Sequence, residues 1–150
     1  YDPLAEGLWV IGIGNNIFRK RIAEEVLKGK RFISTFSANS ICHSSSKIGE
    51  GTQVMAGAVI QMGNNIGSHS VINTSASVDH DCTLGKYSFI GPNATLCGGV
   101  TVGECSFIGA GATVLPYIKI GKNCMIGAGS VVTKDIPDNS TAYGNPAKIK

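Results

Sequence analysis

An all-β solenoid is the fold this sequence predicts: a parallel β-helix of about five or more coils, preceded by a partial α/β segment. Three observations predict it. Every sixth residue from Ile48 to Val132 is aliphatic, fifteen positions in fifteen, among them Val54, Ile60, Val78, Leu96 and Ile126. A fixed short period held over that length is the signature of stacked strands. Three places after each anchor stands Gly, Asn or Asp in ten of fifteen units, and four places after stands Ser, Thr, Ala or Cys in eleven. The first group tolerates positive φ at least cost, so the chain is expected to turn a corner near that column once per hexapeptide. The residue following each anchor gives the third observation. At 49, 67, 85, 103 and 121 it is always Gly; a second set reads Met55, Asn73, Gly91, Gly109, Gly127; a third reads Gln61, Asp79, Cys97, Leu115, Thr133. Three characters recurring at eighteen residues mean three faces per triangular coil, with five coils over 48–137.

The elements follow in order. Residues 8–14, LWVIGIG, read as a strand, and residues 15–28 as an amphipathic helix with Ile17, Ile22, Val26 and Leu27 on its apolar side. Gly29 stops the helix and RFIST follows as a second strand. One βαβ unit is too small to stand alone, so residues 1–35 are expected to be part of a larger Rossmann-like domain, with Tyr1 lying inside it. Residues 36–137 form the solenoid, and residues 138–150, ending GNPAKIK, a C-terminal tail in which Pro and Gly end the last strand.

Composition narrows the function classes. The net charge of +3 comes from scattered residues, with no aromatic and basic cluster, which argues against a nucleic-acid partner. No stretch has the apolar length of a membrane span, and none resembles a secretion signal. Five cysteines without a CxxC pair fit reduced thiols and a cytoplasmic location.

The informative residues are those that packing does not require. His80 is the second residue after anchor Val78, on a corner and followed by Asp81, in VDHDC. A carboxylate beside an imidazole raises its basicity and fixes its tautomer, which makes a general base; a solvated corner with a turn-forming Asp is the other reading. Gly14, Asn15 and Asn16, at a strand end and helix start, fit an anion or nucleotide site as well as a plain turn. His69 and His43 read as structural. The histidine separations are 26 and 11 and no HxxxxH occurs, so no metal site is expected.

IGNNIFRKRI, INTSASVDHDC, GPNATLCGGVTVG and VVTKDIPDNSTAYGNPAKIK together resemble the left-handed parallel β-helix acyltransferases with hexapeptide repeats, in particular the bacterial UDP-4-amino-sugar N-acetyltransferases and sialic-acid O-acetyltransferases. Left-handedness comes from this resemblance. It also implies acetyl-CoA as co-substrate, a nucleotide-linked amino sugar as acceptor, and a homotrimer with active sites between subunits. The family's catalytic histidine falls on His80, its acidic neighbour on Asp81, and the backbone amide that meets the acetyl group on Gly98. The pantetheine groove would pass Ala110 and Ala128, with Pro146 and Lys148 near the nucleotide end of the cofactor and Gly14, Asn15 and Asn16 toward the sugar nucleotide. Relatives carry a second histidine near the thioester where this chain has Phe89. Two alternatives stay open: O-acetylation of a sialic acid or similar sugar, and a solenoid that has lost catalysis and only assembles or binds sugar nucleotides.

Overall fold

The computed structural model describes residues 7–150; the first six residues of the expected 1–35 segment lie outside it. Most of it winds as a parallel β-solenoid of about six coils, built from two-residue strands that, from Thr35–Phe36 to Val131–Val132, pair with one another at a spacing of eighteen residues. Ser77 aligns with Val59 and Thr95, and Phe89 with Val71 and Phe107. The first face runs from strand Lys47–Ile48 to Lys119–Ile120, the second from Thr35–Phe36 to Met125–Ile126, and the third from Ile41–Cys42 to Val131–Val132. The anchor column makes the core: Ile60, Ile72, Val78, Ile90, Leu96, Ile108, Val114, Ile126 and Val132 are fully buried. Each such side chain contributes roughly 1.5–3 kcal/mol relative to exposure.

The small-residue column is buried beside the anchors, as at Ala58, Ala76, Cys82, Ala94 and Ala112. The glycine stack of the first face has a steric cause. Neighbouring coils are about 4.8 Å apart, and a Cβ on Gly67 would lie 2.5 Å from the backbone nitrogen of Lys86. From Gly51 to Gly129 the turning column takes positive φ: Gly51, Gly63 and Gly99 do so, and so do Asp81, Asn93 and even His69, Tyr87, Cys105 and Tyr117. The stack fixes the turn, and residue preference is secondary.

The solenoid exceeds the 48–137 register at both ends. Phe36 and Cys42 continue the anchor column one coil earlier. After Val132 the next inward residue is Ile136, paired with Ile120 sixteen residues back, so one corner is shortened. The expected tail is instead a hairpin. Strand Thr141–Gly144 adds in parallel to Met125–Ile126, and Ala147–Ile149 returns antiparallel across a cis Asn145–Pro146 bond.

The N-terminal segment also differs in detail. Only Leu8–Trp9 of the expected strand enters a ladder, parallel to Arg31–Phe32. Helix α1, Asn16–Arg21, continues into a wider π turn, Ile22–Val26, before Gly29 at φ 78 ends it. Its buried side is the expected one only in part: Leu27 is buried and Ile22 packs beside it. Ile17 and Val26 are exposed, whereas Asn16, Arg19, Ala23 and Leu27 face the solenoid. Ile11, Ala23 and Leu27 pack on Tyr87 and Cys105, at the edge between the first and second faces.

Candidate functional site

His80 and Asp81 stand on the edge between the third and first faces, after strand Ser77–Val78 and before Thr83–Leu84. Asp81 turns the chain at φ 59, which directs its carboxylate back over Gly63 of the preceding coil, where a Cβ would collide with Oδ1. Its Oδ2 is 2.9 Å from His80 Nδ1. An ionised carboxylate only accepts, so Nδ1–H donates and the lone pair is on Nε2. Asp79 Oδ1 accepts the His80 backbone N–H at 2.8 Å. The hydrogen bond to Asp81 raises the imidazole pKa above its ordinary value; desolvation opposes it, and the fields of Asp79 and Asp81 add smaller raising contributions. The pair is open to solvent.

The imidazole leans onto Gly98 in the next coil. A Cβ there would lie 2.5 Å from Nε2 and 2.6 Å from Cε1, so only glycine leaves room for the ring. At the corners from His69 to Gly129 the residue one place after the anchor donates forward, as Cys97 N–H does to Val114 O at 3.0 Å. The residue three places after donates backward, as Gly99 N–H does to His80 O at 2.9 Å. The amide between them belongs to neither ladder. Gly98, Ala110 and Ala128 all occupy this middle position, and among the described residues their N–H groups have no partner within the chain. The exposed Ala110 and Ala128 each offer this donor to a ligand, whereas Gly98 is buried beneath the His80 ring.

Ala110 and Ala128 are exposed on a different edge, between the second and third faces. The C-terminal hairpin stands at its head: Gly144 N–H donates to Ser130 Oγ at 3.1 Å, and Pro146 and Lys148 are exposed beyond it. Phe89 lies on the second face, stacked on Phe107 with centroids 4.7 Å apart, and beside Gly14. Within one chain, then, His80, Asp81 and Gly98 come together, and the remaining expected positions lie on other edges and faces.

Gly14, Asn15 and Asn16 line a surface pocket of about 370 Å³ with Ile17, Phe107 and Met125. Two of their side chains have structural duties. Asn15 Oδ1 caps α1, accepting from Phe18 N–H at 2.9 Å. Asn16 is buried and donates to Cys105 O and Ser106 O at 3.0 and 3.1 Å. Beside it Arg19, fully buried, donates to the carbonyls of His69, Tyr87, Ser88, Ile13 and Gly14 and to Asn16 Oδ1. Desolvation lowers its pKa to about 10, so it stays charged at neutral pH. Sequence reasoning missed Arg19; the spacing of Asn16, Arg19 and Ala23 on one helical face was the available signal.

His69 is buried between Phe32 and Tyr87, stacked on the latter at 5.2 Å, and its pKa is lowered by burial. His43 Nδ1 pairs with Ser45 Oγ at 2.8 Å on the surface. Among the described residues no group of three His, Cys, Asp or Glu side chains is placed to hold a metal, and no helix is long and apolar enough to cross a membrane.

Comparison with known proteins agrees with this geometry. A family model for the bacterial transferase hexapeptide, six repeats, matches residues 81–116 and 99–134. No curated protein sequence matches the chain. Perosamine N-acetyltransferase from Caulobacter crescentus, solved as a histidine variant with CoA and GDP-perosamine, is 40% identical with a TM-score of 0.94, over 96% of this chain and 69% of that one. The acetyltransferase domain of PglB from Neisseria gonorrhoeae, solved with acetyl coenzyme A, is 38% identical with a TM-score of 0.91, over 94% and 69%. WeeI from Acinetobacter baumannii AYE is 28% identical with a TM-score of 0.92, over 99% and 73%. A six-residue period wound into three faces, a histidine and carboxylate on one edge, and identity at this level across nearly the whole chain have one explanation: the chain belongs to the hexapeptide-repeat sugar acetyltransferases.

Proposed function

We propose that the protein transfers the acetyl group of acetyl-CoA to the amino group of a nucleotide-linked amino sugar, with His80 as general base. The observation that carries this reading is the 2.9 Å contact between His80 Nδ1 and Asp81 Oδ2, with Nε2 left over Gly98. The amine attacks the thioester carbonyl as a neutral nucleophile; His80 Nε2 takes the proton it sheds, and the CoA thiolate leaves. Asp81 holds the tautomer and stabilises the imidazolium. The Gly98 N–H is the donor for the developing oxyanion, a contact worth roughly 3 kcal/mol in other acyl transfers. No covalent acyl-enzyme is needed, which leaves the five free cysteines without a catalytic role.

The pantetheine arm passes Ala110 and Ala128, whose unpaired amides suit its carbonyls, toward Pro146 and Lys148. That edge is not the His80 edge of the same chain, and the separation supports a homotrimer in which adjacent protomers complete each site. The pocket at Gly14, Asn15 and Asn16 lies on the face that would meet the sugar nucleotide, the Asn16 side chain serving the pocket's shape rather than the ligand, and Phe89 takes the position expected near the thioester. The reduced thiols fit a cytoplasmic enzyme.

The test is to incubate the protein with acetyl-CoA and UDP-, GDP- and dTDP-linked amino sugars, plus sialic acid, and follow CoA release. Turnover confined to amino sugars is expected. Turnover with sialic acid alone makes this an O-acetyltransferase, and silence across the panel despite acetyl-CoA binding makes it a solenoid without catalysis. A pH profile tests the base. Neutral imidazole is the active form, so kcat/KM rises with pH through a midpoint above the ordinary imidazole value of about 6.5. Asp81→Asn removes the largest raising influence, and the midpoint is expected to move to lower pH. A midpoint that does not move would exclude the Asp81 coupling.

A further inference from the structure

Tyr117 is bulky, sits in the left-handed region at φ 63, and is 74% exposed. The other bulky described residues at positive φ, His69, Tyr87 and Cys105, are all buried against the N-terminal segment, which compensates for an unfavourable backbone. Burial supplies no such compensation for Tyr117. Its ring rests instead on Gly99: a Cβ there would lie 2.5 Å from Cδ1 and 2.8 Å from Cε1. The coil before contributes His80 to Gly98 in the same way, one leaning forward and the other back. Adjacent α-carbons are about 3.8 Å apart, so the imidazole and the phenol ring rest over neighbouring residues of one coil. Gly98 O accepts the Tyr117 N–H at 3.0 Å and His80 O accepts the Gly99 N–H, which ties the three coils together at this point.

We propose that Tyr117 is an acyl-thioester-binding residue that walls the site opposite His80 and limits the acyl chain to acetyl. The inference rests on the reading that the thioester carbonyl is held at the Gly98 N–H. A thioester carbon held at that amide and attacked from the Nε2 side carries two further substituents, the sulfur and the acyl chain; the sulfur leads to the pantetheine arm along the Ala110 and Ala128 edge of the adjacent protomer, which leaves the acyl chain on the Gly99 side, where the phenol ring is. A methyl group fits against the ring; a longer chain meets it.

Tyr117→Asn and Tyr117→Phe separate the ring from the backbone, because Asn adopts positive φ readily and Phe keeps the ring. Acetyl-CoA and butyryl-CoA binding by calorimetry, and their kcat/KM ratio with the accepted amino sugar, are the readouts. Wild type and Tyr117→Phe are expected to favour acetyl-CoA in both, and Tyr117→Asn to shift both preferences toward butyryl-CoA by tenfold or more. Acetyl transfer by the wild type with a butyryl preference unchanged in Tyr117→Asn would overturn this inference alone. Absence of acyl-CoA binding in the wild type would overturn it together with the acetyltransferase reading.

Discussion

Replacing His80 with alanine is expected to cut turnover by roughly two to four decades, the range general-base catalysis supplies, with little change in the affinity for acetyl-CoA. The side chain is 47% exposed, and its one polar contact is with Asp81, itself 70% exposed. Surface changes of this kind usually alter stability by about 0.5 kcal/mol or less. The melting temperature should therefore stay close to wild type, which separates a chemical loss from a folding loss. The Gly98 N–H survives the substitution, so the variant keeps thioester binding and oxyanion stabilisation and lacks only the proton acceptor. Its residual rate should rise smoothly with pH, without the imidazole midpoint, because hydroxide or water must then take the proton. Steady-state rates with acetyl-CoA and the accepted amino sugar, measured across pH, check all three expectations; near wild-type turnover with an intact midpoint would remove His80 from the mechanism.

What could be read from residues alone follows from where the constraint was periodic. The anchor column and the corners were legible because stacking at eighteen residues imposes the same demand on every coil. The demand is strong enough that Tyr87 and Cys105 accept a backbone conformation that suits glycine. His80 and Asp81 were legible for the opposite reason, since a corner in a solenoid requires neither. The docking of α1 was not legible. Of the apolar face read from Ile17, Ile22, Val26 and Leu27, Ile17 and Val26 are exposed, and the helix turns Asn16 and Arg19 inward beside Leu27. The partners of those two side chains are backbone carbonyls at residues 69, 87, 88, 105 and 106. A carbonyl has no sequence signature, and which carbonyls converge at one edge is a product of the coil stacking itself. The hairpin from Thr141 to Ile149 was hidden similarly, because Pro and Gly mark the turn equally well whether the chain leaves the sheet or returns to it.

Arg19 is where the largest effect on stability is expected. Arg19→Met keeps similar bulk and removes the guanidinium donors that join α1 to the solenoid edge, leaving those of Asn16 to Cys105 O and Ser106 O. The carbonyls of His69 and Tyr87 lose a charged donor at 2.7 and 2.8 Å, and Asn16 Oδ1 loses its partner at 2.9 Å. Desolvating the guanidinium is itself costly, as its lowered pKa indicates, so the native arrangement is a near balance in which the hydrogen bonds offset burial. Removing a charged donor in this way costs about 1–3 kcal/mol for a buried acceptor left unpaired, and the carbonyls of His69 and Tyr87 are the ones that lose it. The loss should be local. The solenoid core from Val54 to Val132 makes no use of Arg19 and is closed by its own ladders. Amide hydrogen exchange is therefore expected to show Arg19, Ala23 and Leu27 of wild type protected and the same three positions of the variant fast, with Ile90, Leu96 and Ile108 slow in both. Because Gly14, Asn15 and Asn16 belong to the segment that loosens, KM for the sugar nucleotide should rise while binding of acetyl-CoA stays unchanged. Equal loss of protection in both regions would mean that the N-terminal segment and the solenoid unfold as one unit, and that Arg19 supports the whole rod rather than one site.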